Sequence, residues 1–151
     1  EEKVLDLLAQ YGYEGPNARI YVQSSENHSL RMMRDDLGTK LPLVQLVDTG
    51  NNSDTGENYS SMITQEGLKE IATFADGVGP YKMYIEANPE LVQWAHDDGL
   101  QVHTWTMRAD SLPEKYSDFT EELNQFYFVY GVDGLFTDFT DRAVAFLQSA
   151  N

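Results

Sequence analysis

Helical and strand patterns alternate along the chain, and this alternation constrains the fold more than any other feature of the sequence. Short apolar segments typical of buried strands occur at 19–24, 41–47, 75–80, 100–107 and 134–138, with helical spacing of apolar residues between them. Three predicted helices end in an Asp-Gly pair, at 76–77, 98–99 and 133–134, and each pair leads into a strand. Helices that alternate with buried strands through short turns predict a parallel sheet with right-handed crossovers.

The stretch from Gly131 to Leu147 shows the pattern most completely. It contains a short apolar strand, a polar strand end and a helix that Thr140 is predicted to cap. Asp138 lies where this strand ends, which is the edge at which α/β enzymes place their chemistry. Asp138 is therefore a candidate pocket acid, and a turn or cap residue at the strand-to-helix junction is the slightly favoured alternative.

Five strands fit two architectures. A free-standing doubly wound α/β domain suits the length of 151 residues. A partial (β/α)8 barrel also fits, since a complete barrel typically needs about 250 residues. The pattern alone slightly favours the doubly wound sheet, with residues 1–151 as one domain.

Charge and composition exclude several kinds of partner. The chain has 10 basic and 25 acidic residues, for a formal net charge of −15. Nucleic acid and anionic membranes are poor partners for such a surface. An anionic substrate would need local positive charge, for which a divalent cation is the obvious source. The chain has no cysteine, which excludes disulfides, thiolate catalysis and Cys-type zinc sites, and no apolar run long enough to span a bilayer.

Residues 48–61 are predicted to form a long polar loop at the carboxyl end of the second strand. Its acidic and amide residues, including Asp48 and Asp54, superficially suggest calcium binding. The spacing does not match an EF-hand, which needs a Gly at position six and a Glu at position twelve of the loop. A solvated loop is the preferred interpretation.

Five strings in order resemble the later strands of glycerophosphodiester phosphodiesterases, with the periplasmic bacterial type most similar. They are Tyr-Val-Gln-Ser at 21–24, Pro-Leu-Val-Gln-Leu at 42–46, Ala-Asp-Gly-Val-Gly-Pro at 75–80, Val-His-Thr-Trp-Thr at 102–106 and Gly-Leu-Phe-Thr-Asp-Phe at 134–139. Asp-Arg-Ala-Val at 141–144 follows them. The resemblance covers nearly the whole chain but only the later part of that family's domain.

The resemblance implies a (β/α)8 TIM barrel of which this chain forms roughly the last five βα units. The family's His-Arg-Gly string, its second catalytic histidine and its acidic metal ligands are then expected upstream of Glu1, so no catalytic or metal-binding residue is expected in this chain. It further implies hydrolysis of glycerophosphodiesters to glycerol 3-phosphate and an alcohol. The expected cofactor is a divalent metal, Ca²⁺ in the first place, and the expected location is the periplasm or the exterior. The N-terminal part of the same barrel is the expected partner, and the isolated fragment is expected to be inactive.

The shared part also departs from the family. Ser25 and Glu26 stand where the family often has Phe and Asp, and Thr104 and Thr140 stand where it often has Pro. The first departure removes an aromatic wall from the substrate side, which leaves the preferred substrate open. The rival hypothesis is a non-catalytic α/β binding or structural module.

Five residues are candidate substrate contacts. Trp105, at a strand exit, is predicted to cover the glycerol carbons with its ring and to keep its indole N–H available as a donor. Gln23 and Gln45 interrupt apolar strands, either as buried amides that link strands or as supports for phosphate or metal ligands. Lys82 follows a strand exit and is a candidate phosphate contact, with a solvent-facing lysine as the alternative. Asp138 completes the set, and none of the three histidines is predicted to be catalytic.

Overall fold

The computed structural model describes residues 1–53 and 55–150, whose strands form one parallel sheet in sequence order. The strands are β1 (Val22–Ser24), β2 (Leu43–Val47), β3 (Gly77–Pro80), β4 (Gln101–Met107) and β5 (Gly134–Thr137). The helices are α1 (Glu2–Gln10), α2 (Asn27–Arg31), α3 (Tyr59–Met62), α4 (Gln65–Ile71), α5 (Lys82–Ala87), α6 (Glu90–Asp97), α7 (Phe119–Asn124) and α8 (Thr140–Ser149). Single π-helical stretches, Met32–Asp36 and Gln125–Tyr130, extend α2 and α7.

The order of the strands decides between the two predicted architectures. A doubly wound sheet reverses its strand order at a switch point, which brings helices to both faces. Here each strand pairs in parallel with the next one in sequence, from β1 through β5. Right-handed crossovers that always advance in one direction put every helix on the same side of the sheet. The chain is an arc of a (β/α) barrel, so the barrel implied by the resemblance is confirmed and the alternative of a doubly wound domain is wrong.

Contacts across the sheet show how strongly the arc is curved. The Tyr21 hydroxyl, just before β1, donates to Gln101 Oε1 on β4 at 2.8 Å. The Tyr21 ring centroid lies 4.5 Å from that of His103, also on β4. In a flat sheet, β1 and β4 would be separated by three strand spacings, or about 14 Å, which is more than a tyrosine side chain spans. The sheet therefore bends around its inner face.

The two faces of the sheet are packed differently. On the outer face, alternate strand residues such as Leu43, Val78 and Val102 join buried helix residues such as Leu30 and Phe126 in the hydrophobic core. On the inner face, glycines let neighbouring side chains approach the strand backbone closely. A Cβ added at Gly79 would lie 2.7 Å from Leu46 Cδ2, and one at Gly134 would lie 2.9 Å from His103 Cδ2.

The three Asp-Gly pairs have two different structural roles. Asp76 Oδ2 accepts the Leu43 N–H of β2 at 2.8 Å and also pairs with Arg34. Asp133 Oδ2 does the same for the Val102 N–H of β4 at 2.8 Å and pairs with His96. Each carboxylate thus holds the start of the neighbouring strand and a basic side chain from the helical layer. The third pair differs, because Gly99 has φ +79 and ends α6 in the left-handed conformation.

Several predicted boundaries need correction. The first strand begins at Val22 rather than at residue 19. The polar loop ends at Asn58, because Tyr59–Met62 is helical and the Asn58 side chain caps it by accepting the Ser60 N–H at 2.9 Å. Thr140 does not cap α8; its hydroxyl donates to the Thr137 carbonyl oxygen, and Thr137 Oγ1 accepts the Phe139 N–H. Asp54, named among the loop acids, lies outside the described residues.

Two predicted helix caps are confirmed. Thr64 Oγ1 accepts the Gly67 N–H at the start of α4. Asp118 Oδ1 accepts the Glu121 N–H, and the Glu121 carboxylate reaches back to the Ser117 N–H at 2.7 Å. In the part of the chain that the structure describes, no helix is both long and apolar enough to cross a membrane.

Candidate functional site

A groove opens at the carboxyl edge of the sheet, between the ends of β3 and β4. Its volume is about 450 Å³, and we call it the Trp105 groove. The loop that follows β4 forms one wall, and the start of α5 forms the other. It is lined by Tyr81, Lys82, Met83, Trp105, Thr106, Arg108, Ser111, Leu112, Pro113 and Glu114. The carboxyl edge is where barrels of parallel strands hold their active sites.

Two aromatic rings form the centre of the groove. Tyr81 directly follows β3 and pairs with Trp105 across the strands, with ring centroids 5.2 Å apart and planes tilted by 43°. Trp105 Nε1 donates to the Gly79 carbonyl oxygen at 2.7 Å. The prediction that the indole N–H would be available to a ligand is therefore wrong. This bond fixes the ring in the groove wall, and the role of the ring in substrate binding stays a prediction.

Lys82 occupies the first position of α5 and is buried. Its Nζ lies 2.6 Å from Glu122 Oε1 of α7, and the two side chains are 9% and 0% exposed. The alternative of a solvent-facing lysine is wrong. Burial raises the pKa of the Glu122 carboxyl group, and the nearby Lys82 ammonium partly opposes this change. Glu122 Oε2 is also buried and has no hydrogen-bond partner among the described residues.

Sequence reasoning missed Glu122, although one signal was present. In α7 and the π-helical stretch that extends it, Phe119, Leu123 and Phe126 are buried at spacings of three and four, which is the core-facing stripe of a helix. Glu122 lies on the same stripe. A carboxylate at a core position of an amphipathic helix needs a buried partner, and that requirement pointed to a lysine or arginine elsewhere in the chain.

A second ionic contact lies beside the first and holds the loop wall. Glu86, one turn after Lys82, accepts a hydrogen bond from the Tyr116 hydroxyl at 2.9 Å and pairs with Lys115 Nζ at 2.9 Å. Burial, together with the bond to Glu86, raises the pKa of Tyr116 far above its usual value. The contacts of Lys115 and Tyr116 with Glu86 hold the loop directly after its groove-lining residues. Together with the Lys82–Glu122 pair, they join α5, α7 and the loop.

Asp138 lies outside the groove lining. Its side chain is 69% exposed, and its carboxylate is 3.8 Å from Arg108 Nη1. Arg108 binds Asp110 more closely, through two hydrogen bonds of 3.0 and 2.7 Å. These bonds lower the pKa of Asp110. The turn after β5 is closed by Thr137 rather than by Asp138, so the structure gives Asp138 neither the predicted turn role nor a place in the groove.

The two glutamines lie apart from the Trp105 groove. Gln45 is fully buried, and its Nε2 donates to the Ser25 and Leu46 carbonyl oxygens at 3.1 and 2.9 Å. Asn52 Nδ2 donates to the same Ser25 oxygen at 2.9 Å. Gln45 therefore joins β2 to the end of β1, which agrees with the buried-amide interpretation, and Asn52 joins the 48–58 loop to the same carbonyl group. Gln23 is exposed and lines a different space of about 510 Å³ on the open inner face, beside Tyr21 and His103.

The histidines do not come together. His96 pairs with Asp133 at the amino edge of the sheet, and His103 lies against Tyr21 on the inner face, where burial lowers its pKa. Among the described residues, no group of three His, Cys, Asp or Glu side chains could hold a metal ion.

Comparison with known families supports the resemblance seen in the sequence. Residues 2–142 match the model of the glycerophosphoryl diester phosphodiesterase family. The chain belongs to this family. The match covers every element from α1 to the beginning of α8, including the Trp105 groove.

Relatives of known class agree with this membership. The chain is 30% identical to a glycerophosphodiester phosphodiesterase of Haemophilus influenzae, over 97% of this chain and 47% of that protein. It is 29% identical to a glycerophosphodiester phosphodiesterase of Treponema pallidum, over 95% of this chain and 47% of that protein. The chain thus spans about half the length of the curated relatives it matches.

A solved structure of the same class shares the fold. It is a protein from Silicibacter pomeroyi assigned as a glycerophosphoryl diester phosphodiesterase, with a TM-score of 0.68 and 27% identity. The match covers 97% of this chain and 43% of that structure. The parallel arc therefore shares the half-barrel fold of structures in this family.

Proposed function

We propose that the protein hydrolyses glycerophosphodiesters to glycerol 3-phosphate and an alcohol, and that residues 1–151 contribute part of the substrate pocket. The family match over residues 2–142 is the observation that carries this proposal. The Trp105 groove supports it, because it lies at the carboxyl edge where barrel enzymes bind substrates.

In this proposal, the catalytic histidines and the ligands of a divalent cation, Ca²⁺ in the first place, belong to the N-terminal part of the same barrel. The described residues do not form a site for such an ion, so the role proposed for them is confined to the substrate. We also propose a periplasmic or secreted location, on the resemblance to the periplasmic bacterial type.

This chain's own contribution is to bind and orient the substrate. The Trp105 ring, held by its bond to the Gly79 carbonyl, presents a flat apolar surface suited to the glycerol carbons. Tyr81 extends that surface at a tilt, which gives the groove two aromatic walls that meet. Such a corner excludes water from one side of the substrate, while the loop of residues 108–116 closes the other side.

Assay of the intact protein with glycerophosphocholine tests the proposal. Glycerol 3-phosphate should be released with Ca²⁺ present, EDTA should abolish the release, and added Ca²⁺ should restore it. Residues 1–151 alone should release none. Release by the 151 residues alone would overturn the assignment of the catalytic groups, and an inactive intact protein would favour a non-catalytic module.

Replacing Trp105 with alanine is expected to lower kcat/KM of the intact enzyme by about tenfold, mainly through KM, because an aromatic contact to substrate is removed. Trp105→Phe keeps a flat ring but loses the bond to Gly79, so it separates the contribution of the ring from that of its orientation. Trp94→Phe, on the helical layer, is the matched control and should leave both constants unchanged. An unchanged KM in Trp105→Ala would remove Trp105 from the substrate pocket.

A further inference from the structure

We propose that Glu122 is a positioning residue for the Trp105 groove: its carboxylate holds the Lys82 ammonium at the groove, where the remaining N–H donors of Lys82 bind a neutral, hydroxyl-bearing group of the ligand. The inference rests on the proposed function only in taking glycerol as that group. Neither side chain is among the residues that the family resemblance expects to be catalytic.

The first support is the geometry of the pair. Lys82 Nζ makes one hydrogen bond, of 2.6 Å, to Glu122 Oε1, and an ammonium group has three donors. The described residues supply no second hydrogen-bond partner for Nζ, although Lys82 is buried and lines the groove. A buried donor without a hydrogen-bond partner destabilises the fold. A ligand oxygen in the groove would accept a hydrogen bond from the remaining donors of Lys82.

The second support is that the Lys82–Glu122 pair contributes little to the stability of the fold. Two desolvated charges joined by one bond recover little more than their desolvation cost, and apolar residues of the same volume often stabilise a fold as well. Here one carboxylate oxygen, Glu122 Oε2, is buried without a hydrogen-bond partner in the part of the chain that the structure describes. Stability alone does not explain why α7 carries a carboxylate on its core-facing stripe, whereas holding Lys82 at the groove does.

The third support is the charge around the groove, which indicates the chemistry of the ligand. Lys82, Arg108 and Lys115 are each paired with at least one carboxylate. Carboxylates outnumber these three cations in the groove and its paired groups: Glu86, Asp110, Glu114, Glu122 and Asp138. The phosphodiester anion of a substrate would meet net negative charge, whereas a hydroxyl group can accept from Lys82 without that repulsion. With two aromatic walls, the groove fits the polyol end of a substrate rather than its phosphate.

Binding of glycerol to the intact protein, labelled with 5-fluorotryptophan, tests the inference without any hydrolysis. The fluorine resonance of Trp105, assigned with Trp105→Phe, should shift on titration with glycerol and should not shift with inorganic phosphate. Glu122→Gln and Lys82→Met should each raise the Kd for glycerol about tenfold, equivalent to about 1.4 kcal/mol. Lys82→Arg keeps a positive charge and N–H donors, so it should bind glycerol more tightly than Lys82→Met does.

The double variant Lys82→Met/Glu122→Met separates positioning from packing. It removes both charges at similar volume and leaves no unpaired buried charge, so its Tm should lie within about 2 °C of wild type. Its Kd for glycerol should remain higher than that of wild type. Glu70→Gln, at the exposed carboxylate of the pair with Arg31, is the control and should change neither value. Wild-type glycerol affinity in the double variant, or a Trp105 shift with phosphate and not with glycerol, would overturn the inference.

The inference and the proposed function fail differently. Glycerol binding that depends on Glu122 in a protein without phosphodiesterase activity would keep the first and reject the second. Hydrolysis with the same KM in wild type and in Glu122→Gln would reject the role of Glu122 and keep the proposed function.

Discussion

Replacing Phe126 with alanine is expected to lower the free energy of unfolding by about 3–5 kcal/mol. Phe126 is 0% exposed and belongs to the core between the helices and the outer face of the sheet. Its ring packs edge-to-face on Tyr130 at 5.2 Å, and its carbonyl oxygen accepts the N–H groups of Gly131 and Val132 that end the helix. The truncation removes apolar burial and leaves a cavity that the rigid layers close only in part.

Urea unfolding of the intact protein measures this loss, with the m-value checked for a change in cooperativity. Phe128→Ala is the matched control. It is the same substitution two residues away, but Phe128 is 56% exposed, so its cost should stay below about 1 kcal/mol. If both variants lowered the free energy of unfolding equally, the buried core position assigned to Phe126 would be contradicted.

Replacing Gly67 with alanine is expected to cost about 2–3 kcal/mol by overpacking. A Cβ at this position would lie 2.3 Å from the Ser61 carbonyl oxygen and 2.7 Å from the Met62 Cα. Both atoms belong to the backbone of the α3 turn, which side-chain rotation cannot relieve. α3 would have to move away from α4, and the buried residues Met62 and Leu68 would lose packing.

Gly134→Ala is the informative comparison for this substitution. Its Cβ would lie 2.9 Å from Cδ2 of the His103 ring, which is a side-chain atom rather than backbone. Its cost should therefore be about 1 kcal/mol or less. Thermal melting of both variants at one protein concentration tests the difference. A Gly67→Ala variant as stable as Gly134→Ala would contradict the close packing of α3 on α4.

The local sequence pattern predicted secondary structure correctly where the structure depends on a single segment. All five strands appear where apolar runs predicted them, and Thr64 and Asp118 cap their helices as their side chains indicated. Thr140 failed as a cap because Thr137, three residues earlier, provides the turn oxygen instead. Choices between two nearby hydroxyl groups depend on backbone geometry at the strand exit, which residue type alone does not specify.

The candidate site was harder to predict because it is assembled from distant segments. Lys82 and Glu122 are 40 residues apart, and Trp105 Nε1 finds its acceptor 26 residues earlier. Both partners are brought near by parallel crossovers, so neither is visible in a local window. For Gln45, the sequence showed a polar residue in a buried strand, but only the structure shows that its amide holds the end of β1.

By itself, the sequence determined that strands and helices alternate, that a parallel sheet follows, and that the chain resembles glycerophosphodiester phosphodiesterases, because periodicity and motif order are local properties. Only the tertiary structure decided between the barrel that the resemblance implied and the doubly wound sheet that the pattern slightly favoured. Only the tertiary structure showed that Trp105 donates its N–H to Gly79 and that Lys82 is buried against Glu122. The physical reason is that strand order and buried charge pairing depend on which segments meet in space, and that depends on the crossovers and the packing of the helical layer.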